Sequence, residues 1–177
     1  MSHGITDPNN RSLNPGETWV FSPQTVNAEA PSPSQPSQVV LHPRKFGADA
    51  LRTAASSAGI ENLWMLDSEY KVLPHDEMFE CVKAAHTDTE QYISEFHDCD
   101  KFGRELWARI PSMFGVNSVG LVINFGGRHC FNCVFVTPDT TTTSIKCLIV
   151  EPQSDGVIQL GSSHPYTLTP SQYQVIV

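Results

Sequence analysis

The chain reads as an α+β protein: helices packed on an antiparallel sheet, preceded by an extended Pro/Ser-rich N-terminal arm. Three observations carry this. Apolar residues recur at steps of three and four from Cys99 to Met113, giving one helical stripe. The span from Val119 to Glu151 breaks into three apolar runs separated by turn residues, as strands do. Seven of the 13 prolines fall within residues 1–45, where no core-forming periodicity exists.

Composition narrows the function classes. With 177 residues, 40% hydrophobic and 17% charged, there is room for one globular domain and a remainder. A net charge of -8 with 11 scattered Lys and Arg speaks against nucleic-acid binding, which needs a basic patch. No run approaches the ~18 apolar residues of a membrane span, so no membrane contact is expected. Met1–Pro8 lacks the basic and apolar regions of a signal peptide, and the expectation is a protein not exported by a signal of its own. The five cysteines, 81, 99, 130, 133 and 147, are odd in number and do not form a disulfide framework. Cys130 and Cys133 have C-x-x-C spacing but sit on a strand, where residues three apart face opposite sides. They read as structural thiols.

The arm, residues 1–45, contains the low-complexity stretch Ala30–Ser37 and only two apolar clusters, Trp19–Phe21 and Val39–Leu41. A segment without a core cannot offset its ordering entropy of ~1–2 kcal/mol per residue. The expectation is a strap that docks on a protein partner or neighbouring subunit, with both clusters facing outward.

Residues 46–177 are the globular part. A short helix is expected within Phe46–Ala55, a buried apolar patch at Leu63–Leu66 and an extended piece at Tyr70–Leu73. Pro74 opens a helix in which Met78, Phe79, Val82 and Ala85 share a face, with Asp76 and Glu77 at its positive end. The next helix starts after Asp98 and is ended by Pro111 and Gly115. Strands follow at 119–125, 129–136 and 144–151, and Tyr173–Val177 adds an edge strand.

This order brings three reactive groups together. Cys99 stands at a helix start, where unpaired N–H groups lower a thiol pKa, while Asp98 and Asp100 oppose that shift. His129 follows the Gly126-Gly127 turn at the mouth of a strand, and Glu151 ends the next strand. If that hairpin turns on a five-residue loop, 129 and 151 lie directly opposite, with Cβ atoms ~4.5–5.5 Å apart. Nucleophile on a helix, base on a strand and an orienting carboxylate on the next strand form a thiol triad. The blander readings are a core cysteine, a satisfied histidine and an ordinary strand-end carboxylate. Zinc at His97 and Cys99 with His75 or His86 has no fitting ligand spacing.

Asp98-Cys-Asp-Lys-Phe102, Gly127-Arg-His-Cys-Phe-Asn132 and Ile149-Val-Glu-Pro-Gln153 together resemble the papain-like C-terminal domain of fungal agglutinins (chimerolectins). They also resemble small phage-encoded proteins with the same D-C-D, G-x-H-x-x-N and E-P-Q order. The likeness covers residues 70–153. It implies a papain-like module whose Cys, His and Glu form a calcium-dependent cysteine protease site, roles that fall on Cys99, His129 and Glu151. Calcium rests on the resemblance only. Two features depart from the pattern: only 30 residues separate Cys99 from His129, and the nearest upstream oxyanion glutamine, Gln91, is displaced from the usual position.

Two functions follow as expectations. One is a papain-like thiol hydrolase acting on a peptide or related amide. The other is a structural or accessory component of a phage virion or similar assembly, built on an inactive papain-like module and fastened by its arm.

Overall fold

The computed structural model describes residues 40–159 and 173–177. Nearly all of the arm, with its Trp19–Phe21 cluster, lies outside them. The elements in chain order are β1 (Arg44–Gly47), α1 (Ala48–Ser57), β2 (Leu63–Trp64), β3 (Glu69–Pro74), α2 (His75–Ala84), α3 (Cys99–Phe114), β4 (Val119–Asn124), β5 (His129–Thr137), β6 (Lys146–Glu151), β7 (Gly156–Ile158) and β8 (Tyr173–Ile176). The mixture of helix and strand is α+β in the broad sense.

β5 is the hub. It pairs antiparallel with β4 and β6, and parallel with β3 through Leu73↔Val136. All nine of its residues are buried, which explains why its sequence is mostly apolar with no exposed polar face, His129, Asn132 and Thr137 being buried polar exceptions. Phe131, Cys133 and Phe135 join Cys147 and Ile149 in a core shared with Leu51 and Ala54 of α1. Val134, Val136 and Val150 turn the other way, into a core with Met78 and Val82 of α2 and Leu106 and Ile110 of α3. The sheet is therefore buried on both sides, with α1 on one face and α2 and α3 on the other. Cys130 and Cys133 fall on opposite faces, as strand alternation requires.

Several local expectations need correction. Tyr173–Ile176 is no edge strand: it lies between β4 and β2, antiparallel to the first and parallel to the second. Gly120 makes this possible, because a Cβ there would come within 2.7 Å of Val177 Cγ2 and 2.9 Å of the Ile176 carbonyl. The Leu63–Leu66 patch is only half internal, since Trp64 and Leu66 are exposed. Pro111 does not end α3, which runs three residues further to Phe114. The helix stops at Gly115, whose φ of 65° is a left-handed conformation suited to glycine. A proline so near the end removes one hydrogen bond, and the buried Leu106 and Ile110 hold the remaining turns in place. Met113, expected on the apolar stripe, is exposed.

At the arm boundary, Arg44 and Lys45 already pair with β3. Leu41, expected to face outward, packs against the α2–α3 core. His42 bonds to Glu77 of α2 through both its backbone N–H and its ring.

Candidate active site

Helix α3 presents Cys99 as its first residue. Asp98 has the extended backbone of an N-cap, but its side chain makes no capping bond. The neighbouring carboxyl of Asp100 holds that of Asp98 below the usual range and is itself pushed above it. Each acid also has a cation: Lys101 lies 3.8 Å from Asp98 and Arg104 lies 2.7 Å from Asp100.

Cys99 is the one partly exposed cysteine; the other four are buried. Burial pushes its thiol above the ordinary value, and the nearby carboxylates of Asp98 and Asp100 add to the rise. The backbone N–H groups of Cys130 and Asp100 pull the other way without cancelling it. The helix start therefore does not by itself make a thiolate.

The close approach of α3 to the sheet has two causes. Gly103, one turn after Cys99, has no side chain where a Cβ would touch Leu121 Cδ1 at 3.0 Å and Cys130 Cβ at 3.7 Å. Asn132, fully buried, then ties helix to sheet: its Nδ2 donates to the Gly103 carbonyl at 2.9 Å and to the Gly120 carbonyl at 3.2 Å. Asn132 belongs to the G-x-H-x-x-N pattern, but sequence reasoning gave it no role. The signal was present, since a buried Asn in an apolar strand needs partners for its amide.

His129 opens β5 and is buried, its ring set edge-to-face with that of Phe131 at a centroid distance of 4.3 Å. Its Nε2 lies 2.8 Å from Glu151 Oε2. The expected directly opposed pairing is corrected. The ladder runs Asn132↔Val150 and Cys133↔Ile149, so continuing it places Glu151 opposite Phe131 and two residues along from His129. A two-residue offset keeps both side chains on one face, where a one-residue slip would separate them. The offset arises because the β5–β6 connection is centred on position 141 and not on 140, with Val136 and Lys146 the last pair. The Gln153 backbone N–H donates to Glu151 Oε1 at 3.3 Å, so the turn at Pro152 helps to aim the carboxylate.

Cys99 and His129 line one pocket of ≈ 210 Å³, together with Asp100, Ile123, Asn124, Phe125, Arg128 and Cys130. All three sequence-predicted residues thus converge at one end of β5: the thiol and imidazole share the pocket, and the carboxylate holds the imidazole. Gln91 is exposed and does not line it; its carbonyl bonds to the His97 ring instead. Among the described residues, no three His, Cys, Asp or Glu side chains come together as metal ligands. No helix of the described residues is long and apolar enough to cross a membrane.

No family model matches the chain, and no curated protein matches it. Solved structures do. A Polyporus squamosus lectin bound to a human-type influenza-binding epitope superposes with a TM-score of 0.55 at 15% identity, covering 75% of this chain and 49% of the lectin chain. A PSL1a–E64 complex gives a TM-score of 0.53 at 16% identity, with 75% and 51% covered. The chain spans about half the length of the lectin chains it matches. At such identity the likeness concerns the fold, and this chain shares a fold with part of a fungal lectin.

Proposed function

We propose that the protein is a papain-like thiol hydrolase that cleaves a peptide or related amide bond, with Cys99 as nucleophile. The observation that carries this reading is the 2.8 Å bond from His129 to Glu151 at a pocket that Cys99 also lines. A carboxylate on Nε2 fixes the ring and its tautomer and stabilises the imidazolium that forms. Proton exchange with the thiol then falls to Nδ1.

The thiol rests protonated, since its pKa lies above the ordinary value. His129 takes its proton as the sulfur attacks the carbonyl carbon, and returns it to the leaving amine as the acyl-enzyme forms. Water, deprotonated by the same imidazole, then releases the acid product. The Cys99 backbone N–H, at the head of α3, faces the charge that develops on the carbonyl oxygen.

The shared fold supports the reading further, because one structural neighbour is a complex with E64. The test is incubation of the full chain with E64 and with fluorescent casein. A covalent adduct on Cys99, and casein hydrolysis abolished by Cys99→Ala, His129→Ala or E64 itself, is the expected result. An unmodified Cys99 and casein hydrolysis no faster than that of Cys99→Ala would overturn it.

A further inference from the structure

The charges around the pocket are not equally partnered. Asp98 is met by Lys101, Asp100 by Arg104 and Glu151 by His129. Arg128 also lines the pocket. It is exposed, and no acidic side chain pairs with it among the described residues. Its backbone is fixed: φ is 49°, and the turn before it is held by the Gly127 N–H donating to Asn124 Oδ1 at 3.0 Å. Asn124 is itself buried, and a Cβ at Gly127 would approach Asn124 Nδ2 to 2.6 Å. The turn therefore holds the arginine Cα beside His129 at the pocket, an unusual left-handed placement for a non-glycine residue. The chain carries a net charge of -8, and Arg128 adds to this pocket a cation that has no acidic partner among the described residues, whereas Asp100 in the same lining is paired with Arg104.

We propose that Arg128 is a specificity-determining residue: it receives a carboxylate of the substrate while Ile123 and Phe125, which line the same pocket, receive an adjoining apolar group. This rests on the hydrolase reading of the site and names its substrate class, a peptide with an acidic residue next to the scissile bond. A guanidinium offers planar, paired donors that match a carboxylate. The volume of ≈ 210 Å³ is below the ~300–1,000 Å³ of pockets for whole small ligands. It suits one side chain of a longer substrate whose remainder stays outside.

The test uses two reagents that differ only in charge. Iodoacetate and iodoacetamide alkylate the same sulfur, but only the first carries a carboxylate. Cys99 labelling by each is followed by mass spectrometry in the full chain, in Arg128→Gln and in Arg128→Lys. The iodoacetate-to-iodoacetamide rate ratio should fall about three-fold in Arg128→Gln, the scale of one exposed charge pair, and persist in Arg128→Lys. Raising the salt to 1 M should erase the difference. In parallel, cleavage sites in denatured casein are mapped. Wild type should show Asp and Glu enriched beside the cleaved bond, and Arg128→Gln should lose that enrichment. A ratio that does not change in Arg128→Gln overturns the assignment. No casein cleavage with the ratio effect intact overturns the hydrolase reading and leaves the carboxylate site standing.

Discussion

His129 Nε2 and Glu151 Oε2 lie 2.8 Å apart, although their strands place these residues two positions out of direct opposition. The bond is diagonal across one sheet face, where such neighbours are ~7–8 Å apart and their Cβ atoms somewhat closer. Only a long acceptor spans that gap. Glu151→Gln keeps the reach and one acceptor but removes the charge that stabilises an imidazolium. The expected outcome is a fall in kcat of at least about ten-fold with KM little changed. Glu151→Asp should lose as much, because it is one methylene short. Steady-state kinetics on a peptide that the wild type cleaves would check both.

Cys99 should be the alkylation target of the native chain. Burial holds the thiols of Cys81 and Cys130 at about 11 and about 12, and Cys133 and Cys147 are buried as well. Iodoacetamide at pH 7.5 should label Cys99 about ten-fold faster than any other cysteine. Its rate should still be climbing above pH 8.5, the ordinary thiol value, because burial and two carboxylates keep the proton on. Uniform labelling, or a rate already flat at pH 7, would contradict this account.

The junction of α3 with the sheet should be intolerant of volume. Gly103→Val forces branched carbons against Leu121 and the Phe131 carbonyl and should destabilise by about 1–3 kcal/mol. Asn132→Leu removes both amide bonds to the Gly103 and Gly120 carbonyls, at about 1–3 kcal/mol for the unpaired groups. Urea titration gives the stability change. Both variants should also slow E64 capture relative to wild type under conditions where they remain folded, because α3 carries the thiol.

Asp155 offers a pH-dependent check on the fold. Burial, with the Asp88 charge adding, raises its carboxyl to about 6. Its Oδ1 is buried with no hydrogen-bond partner among the described residues, and its φ is 53°. The unfolded value is about 3.9, so the folded state holds this proton more tightly. The stability it contributes is full below about pH 4 and is lost as pH rises through about 6. Asp155→Asn stays neutral throughout and fits the left-handed backbone better. Its advantage over wild type should grow by about 1 kcal/mol between pH 4.5 and pH 8, a figure discounted for the half-exposed side chain. Thermal melts at the two pH values would show it; a gain no larger at pH 8 would count against the raised carboxyl.

Much of this architecture was written locally. The stripe Phe102, Leu106 and Ile110, the turn at Gly126-Gly127 and the apolar runs of β4, β5 and β6 follow from short-range periodicity. So does the placement of Cys99, His129 and Glu151 at element ends, because a helix start and two strand ends are legible from caps, glycines and prolines. What lay beyond the sequence were the quantities set by long-range packing. The hairpin offset depends on how the β5–β6 connection folds, the interior place of β8 depends on the space left by Gly120, and the raised Cys99 thiol depends on how deeply α3 sinks against Cys130. Parity survives any even offset, so the shared face of His129 and Glu151 could be read from residue numbers alone. Their diagonal contact, the depth of the thiol and the cation at Arg128 needed the tertiary structure, because distance and solvent exposure belong to the assembled chain and not to any segment of it.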